Sequence, residues 1–262
     1  LPHDGERPHL ALRTDGLKDL KVLDAGDLLM PGGDLVAALA VLREATEKIS
    51  RAGAIAVVLG GDHSIASADV AGIANHLGHG KVSMIHFDAH ADTGEDQWGA
   101  LVGHGTPMRR LIDEGYVRGD KFLQLGLRGY WPDNKTLMWM RDQGMRSYEM
   151  TEIHHRGLKE VLDESFATLT DGCDGVFLSV DIDVVDPGMA PGTGTPEPGG
   201  MTSRELLEAV RRICLELPVV GIDVVEVAPA FDTADITAIL ANRVVLEALS
   251  AIAKRRNGSA YD

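Results

Sequence analysis

The feature that most restricts this chain is a recurrence. Short apolar runs, each bounded by Gly, Pro or polar residues, fall at 21–26, 54–61, 82–88, 121–129, 145–150, 175–183 and 218–227. Such runs read as buried parallel strands. Between them, 35–50, 65–77, 202–217 and 236–255 carry helical period. The alternation predicts an α/β fold in three layers, a mostly parallel sheet flanked by helices. A TIM barrel would need eight strand–helix pairs, and a doubly wound open sheet fits the count better. No repeat, low-complexity tract or dividing linker interrupts the pattern, so residues 1–262 are expected to form a single domain.

Ligand sites of open α/β sheets lie beyond the carboxyl ends of the strands, and here those ends are rich in acids and imidazoles. "AIAVVLGG" runs into Asp62 and His63, "VSMIHF" into Asp88, His90 and Asp92, and "VFLSV" into Asp181 and Asp183. On extended backbone, residues two apart share a face, so Asp88 with His90, and Asp181 with Asp183, can each reach a common ion. A lone Asp there would cap a helix and a lone His would sit satisfied in a core. Together, several desolvated carboxylates repel one another unless cations compensate. No Lys or Arg lies within these motifs, which points to metal.

Four Asp and two His are too many for one closed zinc site and include no thiolate. Two ions sharing carboxylates, with an open position, suit them better. The oxygen-rich set favours Mn(II), with Ni(II), Co(II) or Zn(II) as alternatives. Two ions about 3.5 Å apart make a hydroxide nucleophile from water, so the expected reaction class is hydrolysis. His86 shares the alternation but lies deeper in its strand, where it is expected to support the site and not to ligate.

The motifs "GGDHS" (60–64), "FDAHAD" (87–92), "GHGTP" (103–107), "SVDIDVVDP" with "APGTGTP" (179–196) and "DVVEVAPAFD" (223–232) resemble those of the ureohydrolases, the arginase and agmatinase family of amidinohydrolases. The resemblance runs from about Val22 to the helix ending near Arg255. It implies a parallel sheet of about eight strands between helices, two manganese ions per subunit, and conversion of a guanidino group to an amine and urea. By motif position, His63, Asp88, Asp92 and Asp181 would hold one ion, and Asp88, His90, Asp181 and Asp183 the other, so Asp88 and Asp181 would bridge. His104 matches the family's proton-shuttling histidine, and Glu226 the glutamate that receives the guanidinium, a role suited to bidentate geometry. Asp92 would also pass a proton to the departing amine. Asp186, Asp223 and Asp232 would fix turns and supporting hydrogen bonds. Family members form homo-oligomers, trimers or hexamers. They also begin with a further strand and a segment before "VLDAGD", and an N-terminal segment of that kind is expected to be missing here.

For the substrate, the loop "TGEDQWGALVG" (93–103) lacks the Ser and Asn by which arginases read an amino acid. Glu95 and Asp96 would repel a carboxylate, and Trp98 offers a cation–π surface. This favours agmatine, with guanidinobutyrate, guanidinopropionate or arginine as alternatives. A phosphohydrolase would want an anion cradle near its carboxylates. A non-catalytic assembly subunit would have lost a ligand, and all six are present.

Forty acidic against 25 basic residues give a formal charge of −15, which argues against nucleic acid and anionic membrane partners and for a small cationic substrate. The two cysteines, Cys173 and Cys214, form no spaced pattern, which makes a cytoplasmic protein the simplest expectation. No apolar run of the 18 or so residues of a membrane span is apparent.

Overall fold

The computed structural model describes residues 8–258. Its six strands are β1 (Ala56–Leu59), β2 (Val82–Phe87), β3 (Phe122–Leu127), β4 (Arg146–Glu149), β5 (Gly175–Asp181) and β6 (Val219–Val225). They form one sheet in the order β1-β6-β5-β2-β3-β4, with every pair parallel. The helices are α1 (Gly16–Asp19), α2 (Leu35–Arg51), α3 (Ala66–Leu77), α4 (Pro107–Asp113), α5 (Asn134–Asp142), α6 (Met150–Arg156), α7 (Leu158–Thr170), α8 (Ser203–Glu216) and α9 (Ile236–Asn257).

The strands explain the layers. Met84, Phe122 and Phe177 lie side by side in register on one face and pack with Val70 and Ile73 of α3 and Met108 and Leu111 of α4. Ile85, Phe87, Leu123, Leu125, Leu178 and Val180 point to the other face, into a larger cluster with α7, α8 and α9. Both faces are covered, so the central strands are buried along their length and mostly apolar. Helix α8 buries Leu206, Ala209, Val210 and Ile213 along one stripe. Its start is fixed by a capping box in which Thr202 and Glu205 bond each other's backbone N–H.

The three-layer expectation holds, with six strands where about eight were implied. The run at 21–26 is not a strand. Asp24 accepts a hydrogen bond from the Gly26 N–H at 2.9 Å, and Gly26 sits at φ 74°, so a side-chain turn replaces the ladder. Leu23 and Leu29 stand in solvent, and β1 closes this edge of the sheet. Helices α1 and α4 to α7 were not anticipated from the sequence.

The membrane expectation also needs correction. Helix α9 is long and apolar enough to span a bilayer, with a mean hydropathy of 1.6. Here it is a core helix: Leu240, Val244, Ala248, Ala251 and Ile252 are buried against β6 and α8.

Helix α3 carries Gly72 because α2 crosses it closely. A Cβ at Gly72 would lie 2.1 Å from Thr46 Oγ1 and 2.3 Å from the Arg43 carbonyl oxygen. Gly72→Ala therefore destabilises by about 1–3 kcal/mol through overpacking, even though Ala is intrinsically favoured in a helix by about 1 kcal/mol. Urea unfolding measures this, and a more stable variant would show that the α2–α3 contact has slack.

Candidate metal centre

Four neighbouring strands, β1, β6, β5 and β2, deliver their ends to one place. After β1 the chain enters a turn that buries His63, with the Asp62 carboxylate accepting from the Ser64 N–H at 2.9 Å. Beyond β2 come Asp88, His90 and Asp92, and β5 ends on Asp181, followed by Asp183. Glu226 follows β6. Two of these residues sit in left-handed backbone, Asp92 at φ 52° and Glu226 at φ 61°. Non-glycine residues occupy that region at a cost that the surroundings must offset, and such strain gathers at functional sites. The offset is visible: the Asp92 carbonyl accepts from the Met108 N–H, and the Glu226 N–H donates to Gly61.

His63 Nδ1 lies 3.2 Å from Asp88 Oδ2, 3.1 Å from Asp92 Oδ2 and 3.2 Å from Asp181 Oδ2. It is buried and aligned for a hydrogen bond with none of them. One nitrogen and three carboxylate oxygens converging on a point, with no proton geometry to join them, is the arrangement of a ligand set. A second group forms beside it, where His90 Nδ1 is 3.0 Å from Asp183 Oδ2 and 3.4 Å from Asp88 Oδ1. The two oxygens of Asp88 thus face the two groups. Asp181 turns Oδ2 to the His63 group, while Oδ1 accepts from the Asp183 N–H at 2.9 Å. These residues fit a metal site.

The electrostatics agree. Burial pushes Asp181, Asp92 and Asp183 above the ordinary carboxylate range, and neighbouring carboxylates push them further. Burial opposes ionisation of Asp88 too, but His86, His63 and His90 hold it well below that range. Burial would lower the imidazoles, yet Asp181, Asp88 and Asp92 hold His63 well above its usual value, and Asp183 and Asp88 push His90 up to about 11. Carboxylates and imidazoles are competing for positive charge, and a bound cation displaces those protons.

His86 belongs in the supporting layer. Its Nε2 lies 2.8 Å from Asp88 Oδ2, and Gln124 Nε2 lies 3.1 Å from its Nδ1. The Gln124 amide is oriented by its 2.7 Å bond to the Ala91 carbonyl, which only an N–H can make, and by Ser147 Oγ donating to Oε1 at 2.9 Å. Gln124 therefore donates to Nδ1, leaving the His86 proton on Nε2, aimed at Asp88. Although His86 is close enough to His63, Asp88 and Asp92 to share an ion with them, both its nitrogens are already engaged.

These supports form a single row. Asp223, Ser179, His86, Gln124 and Ser147 are register partners across β6, β5, β2, β3 and β4. The row crosses the sheet just beneath the ligand cluster.

His104 and Glu226 frame the opening. The Gly105 N–H donates to Gln97 Oε1 at 3.2 Å, so Gln97 Nε2 donates to His104 Nε2 at 2.7 Å. His104 Nδ1 then donates to Asp62 Oδ2 at 3.2 Å. Glu226 Oε1 accepts from the His63 N–H at 2.7 Å. Burial raises its pKa above the usual carboxylate value, against that bond. All eight expected site residues are thus brought near one another, and His63, His90, Asp92, His104, Asp181 and Glu226 line a cleft of about 870 Å³.

Over residues 4–251 the chain matches the arginase family. The chain belongs to that family. Within the arginase family it is similar to guanidinobutyrase of Pseudomonas aeruginosa, 36% identical over 93% of this chain and 75% of that protein. The mitochondrial agmatinase of Gallus gallus is 39% identical over 88% of this chain and 66% of that protein. Among solved structures, proclavaminate amidino hydrolase from Streptomyces clavuligerus superposes with a TM-score of 0.83 at 36% identity, covering 92% of this chain and 79% of that one.

Several residues of this arginase-family site escaped the sequence reading. Arg128 donates to the backbone carbonyls of Asp183 and Glu197 at 2.7 and 2.6 Å, pinning the Gly/Pro-rich loop. From that loop Thr195 Oγ1 donates to Asp183 Oδ2 at 3.2 Å. Gln97, Gln124 and Lys135 also went unassigned. Of these, Gln124 had a signal: it is the polar residue inside the apolar run "FLQLGL". Asp186 and Asp232 do fix turns, accepting from the Gly188 and Thr237 N–H groups.

Mn2+ added to chelator-treated protein raises its melting temperature, because a ligand at a hundredfold excess over Kd adds about 2.7 kcal/mol. In Asp88→Asn, which weakens both groups, the rise is lost. An equal rise in parent and variant would remove Asp88 from the binding site.

Proposed function

We propose that this protein hydrolyses a guanidino compound to an amine and urea, using two divalent metal ions. One is held by His63, Asp88, Asp92 and Asp181 and the other by Asp88, His90, Asp181 and Asp183. The observation that carries the reading is one cleft lined by four of these donors, His63, His90, Asp92 and Asp181, together with Glu226, a carboxylate with one oxygen tied to the His63 backbone and the other near the loop at Gly194. The oxygen-rich donors favour manganese, with nickel, cobalt or zinc as alternatives. When bound, such ions supply a hydroxide nucleophile at neutral pH and positive charge opposite the carboxylates.

The protein's own groups do the rest. Glu226 accepts guanidinium N–H groups and so fixes the orientation of the reacting carbon. Asp92 takes the proton of the attacking water and returns it to the leaving nitrogen as the C–N bond breaks. His104, half exposed and held by Asp62 and Gln97, exchanges protons with solvent. Water adds across one C–N bond, and urea and an amine leave.

The outer cleft bears on the substrate. Glu95, Asp96 and Asp133 line it against Lys135, so it keeps an acidic balance suited to the second cation of agmatine. Trp98 and Trp131 stand at its rim. Glu95 is paired with Lys135, however, so it is less available to repel a carboxylate than its sequence position suggests. A guanidino acid could take the place of Glu95 on Lys135, which is the observation that favours guanidinobutyrate as the second reading.

Loaded with Mn2+, the protein releases urea from agmatine faster than from guanidinobutyrate, guanidinopropionate or arginine. Urea from no member of that panel would sink the amidinohydrolase reading. Lys135→Met separates the two substrates: if the acid is used, its KM rises about tenfold while that of agmatine does not. Glu226→Gln lowers kcat/KM by about a hundredfold with metal content unchanged. Full activity would exclude Glu226 from guanidinium binding.

A further inference from the structure

Behind His63 lies a buried acidic pair to which the reaction assigns no part. His63 Nε2 is 2.9 Å from Ser179 Oγ, while its other nitrogen, Nδ1, faces Asp88, Asp92 and Asp181. Ser179 is the register partner of Asp223, so the two side chains stand side by side on one face of the sheet. Asp223 Oδ1 also accepts from the Val180 N–H at 3.2 Å. On its far side Asp223 meets Asp69 of α3, whose Oδ1 accepts from the Val70 N–H at 2.6 Å. Asp69 and Asp223 are both wholly buried, at 0% exposure. Their remaining oxygens, Asp69 Oδ2 and Asp223 Oδ2, are buried with no donor to satisfy them.

Two ionised carboxylates side by side in such a place would be unstable by both repulsion and desolvation. One proton between them resolves everything at once. It cancels one charge and makes the two orphaned oxygens a donor and an acceptor for each other. The surrounding donors decide which acid keeps it. Asp223 has the Val180 N–H and lies beside the Ser179 hydroxyl, both of which favour a charge there, whereas Asp69 has its neighbour's N–H.

We propose that Asp69 holds a proton shared with Asp223, and that the single charge left on Asp223 sets the Ser179 hydroxyl so that it fixes the His63 ring, with Nε2 on Ser179 and Nδ1 turned to the ligand cluster. Asp223 and Asp69 are then positioning residues. The shared proton stands independently, and the positioning role rests on the metal reading above. Burial raises both acids above the ordinary carboxylate range, and Asp69 is raised far above it because the charge of Asp223 adds to the effect. A carboxylate oriented behind a ligating histidine strengthens it as a donor.

Two measurements test this. In the infrared difference spectrum of parent minus Asp69→Asn at neutral pH, the carbonyl stretch of one protonated carboxylic acid appears. A difference spectrum without that band overturns the shared proton. In equilibrium dialysis with Mn2+ alone, Asp69→Asn binds within about threefold of the parent, because its amide donates the same bond, while Asp223→Asn weakens binding about 10- to 100-fold. Equal losses in both, or in neither, overturn the positioning role. Thermal melts confirm folding, and where Asp223→Asn does not fold, Ser179→Ala cuts the same link with both acids in place and must show the same loss. A parent that binds no Mn2+ sinks the metal reading and the positioning role together, and the infrared band still decides the proton.

Discussion

The structure is organised around an electrostatic problem: four carboxylates and two imidazoles brought out of water into one space. Such a cluster is unfavourable by itself, since each carboxylate loses hydration and feels the others. The parallel sheet is what makes the convergence feasible, because adjacent strands end on the same side and deliver their next residues to a common point. Three strands, β1, β5 and β2, supply the cluster, and β6, between β1 and β5, adds Glu226 beside it. The left-handed backbone at Asp92 and Glu226 shows that even the strand ends do not reach the geometry without local strain.

Beneath the cluster, polar groups replace what would otherwise be core. His86 holds Asp88 from below and Ser179 holds His63, so two ligands of the first group are oriented from the same row. The chain of orientation runs outward as well, from the Ala91 carbonyl to Gln124, then to His86 and Asp88. A side-chain network of this kind is worth having only when every member is satisfied. That condition explains why Gln124, with donors on one end and an acceptor on the other, stands where a histidine must be held in a single tautomer.

Much of this was legible beforehand, and the exceptions have causes. Asp88, His90 and Asp92 declare themselves because polar residues closing an apolar run need a reason, although they lie past the strand end, Asp92 in left-handed backbone, and so do not alternate along an extended face as expected. Helix 202–217 was readable to within a residue at either end because Thr202 and Glu205 mark its start and its apolar stripe has a clear period. Lys21–Gly26 was misread because apolar content describes a strand's appetite for burial and says nothing of a partner to pair with. Asp69 gave no signal, since a single Asp in "IASADVAGIANHL" looks like the solvent side of an amphipathic helix until the fold turns it inward. Lys135 was hidden by distance, 40 residues from the Glu95 it meets.

The polar row also bears on how the chain avoids misfolding. Along β2, β3 and β5, residues of the row alternate with residues buried on the opposite, apolar face. A strand paired one residue out of step would turn His86, Gln124 or Ser179 into that apolar layer and leave its hydrogen-bond partners stranded. Sheets made of uniformly apolar strands lack any such penalty, because a shifted Val resembles a correct one. The residues that brace the ligand cluster would therefore also proofread the sheet, rejecting wrong registers as it forms.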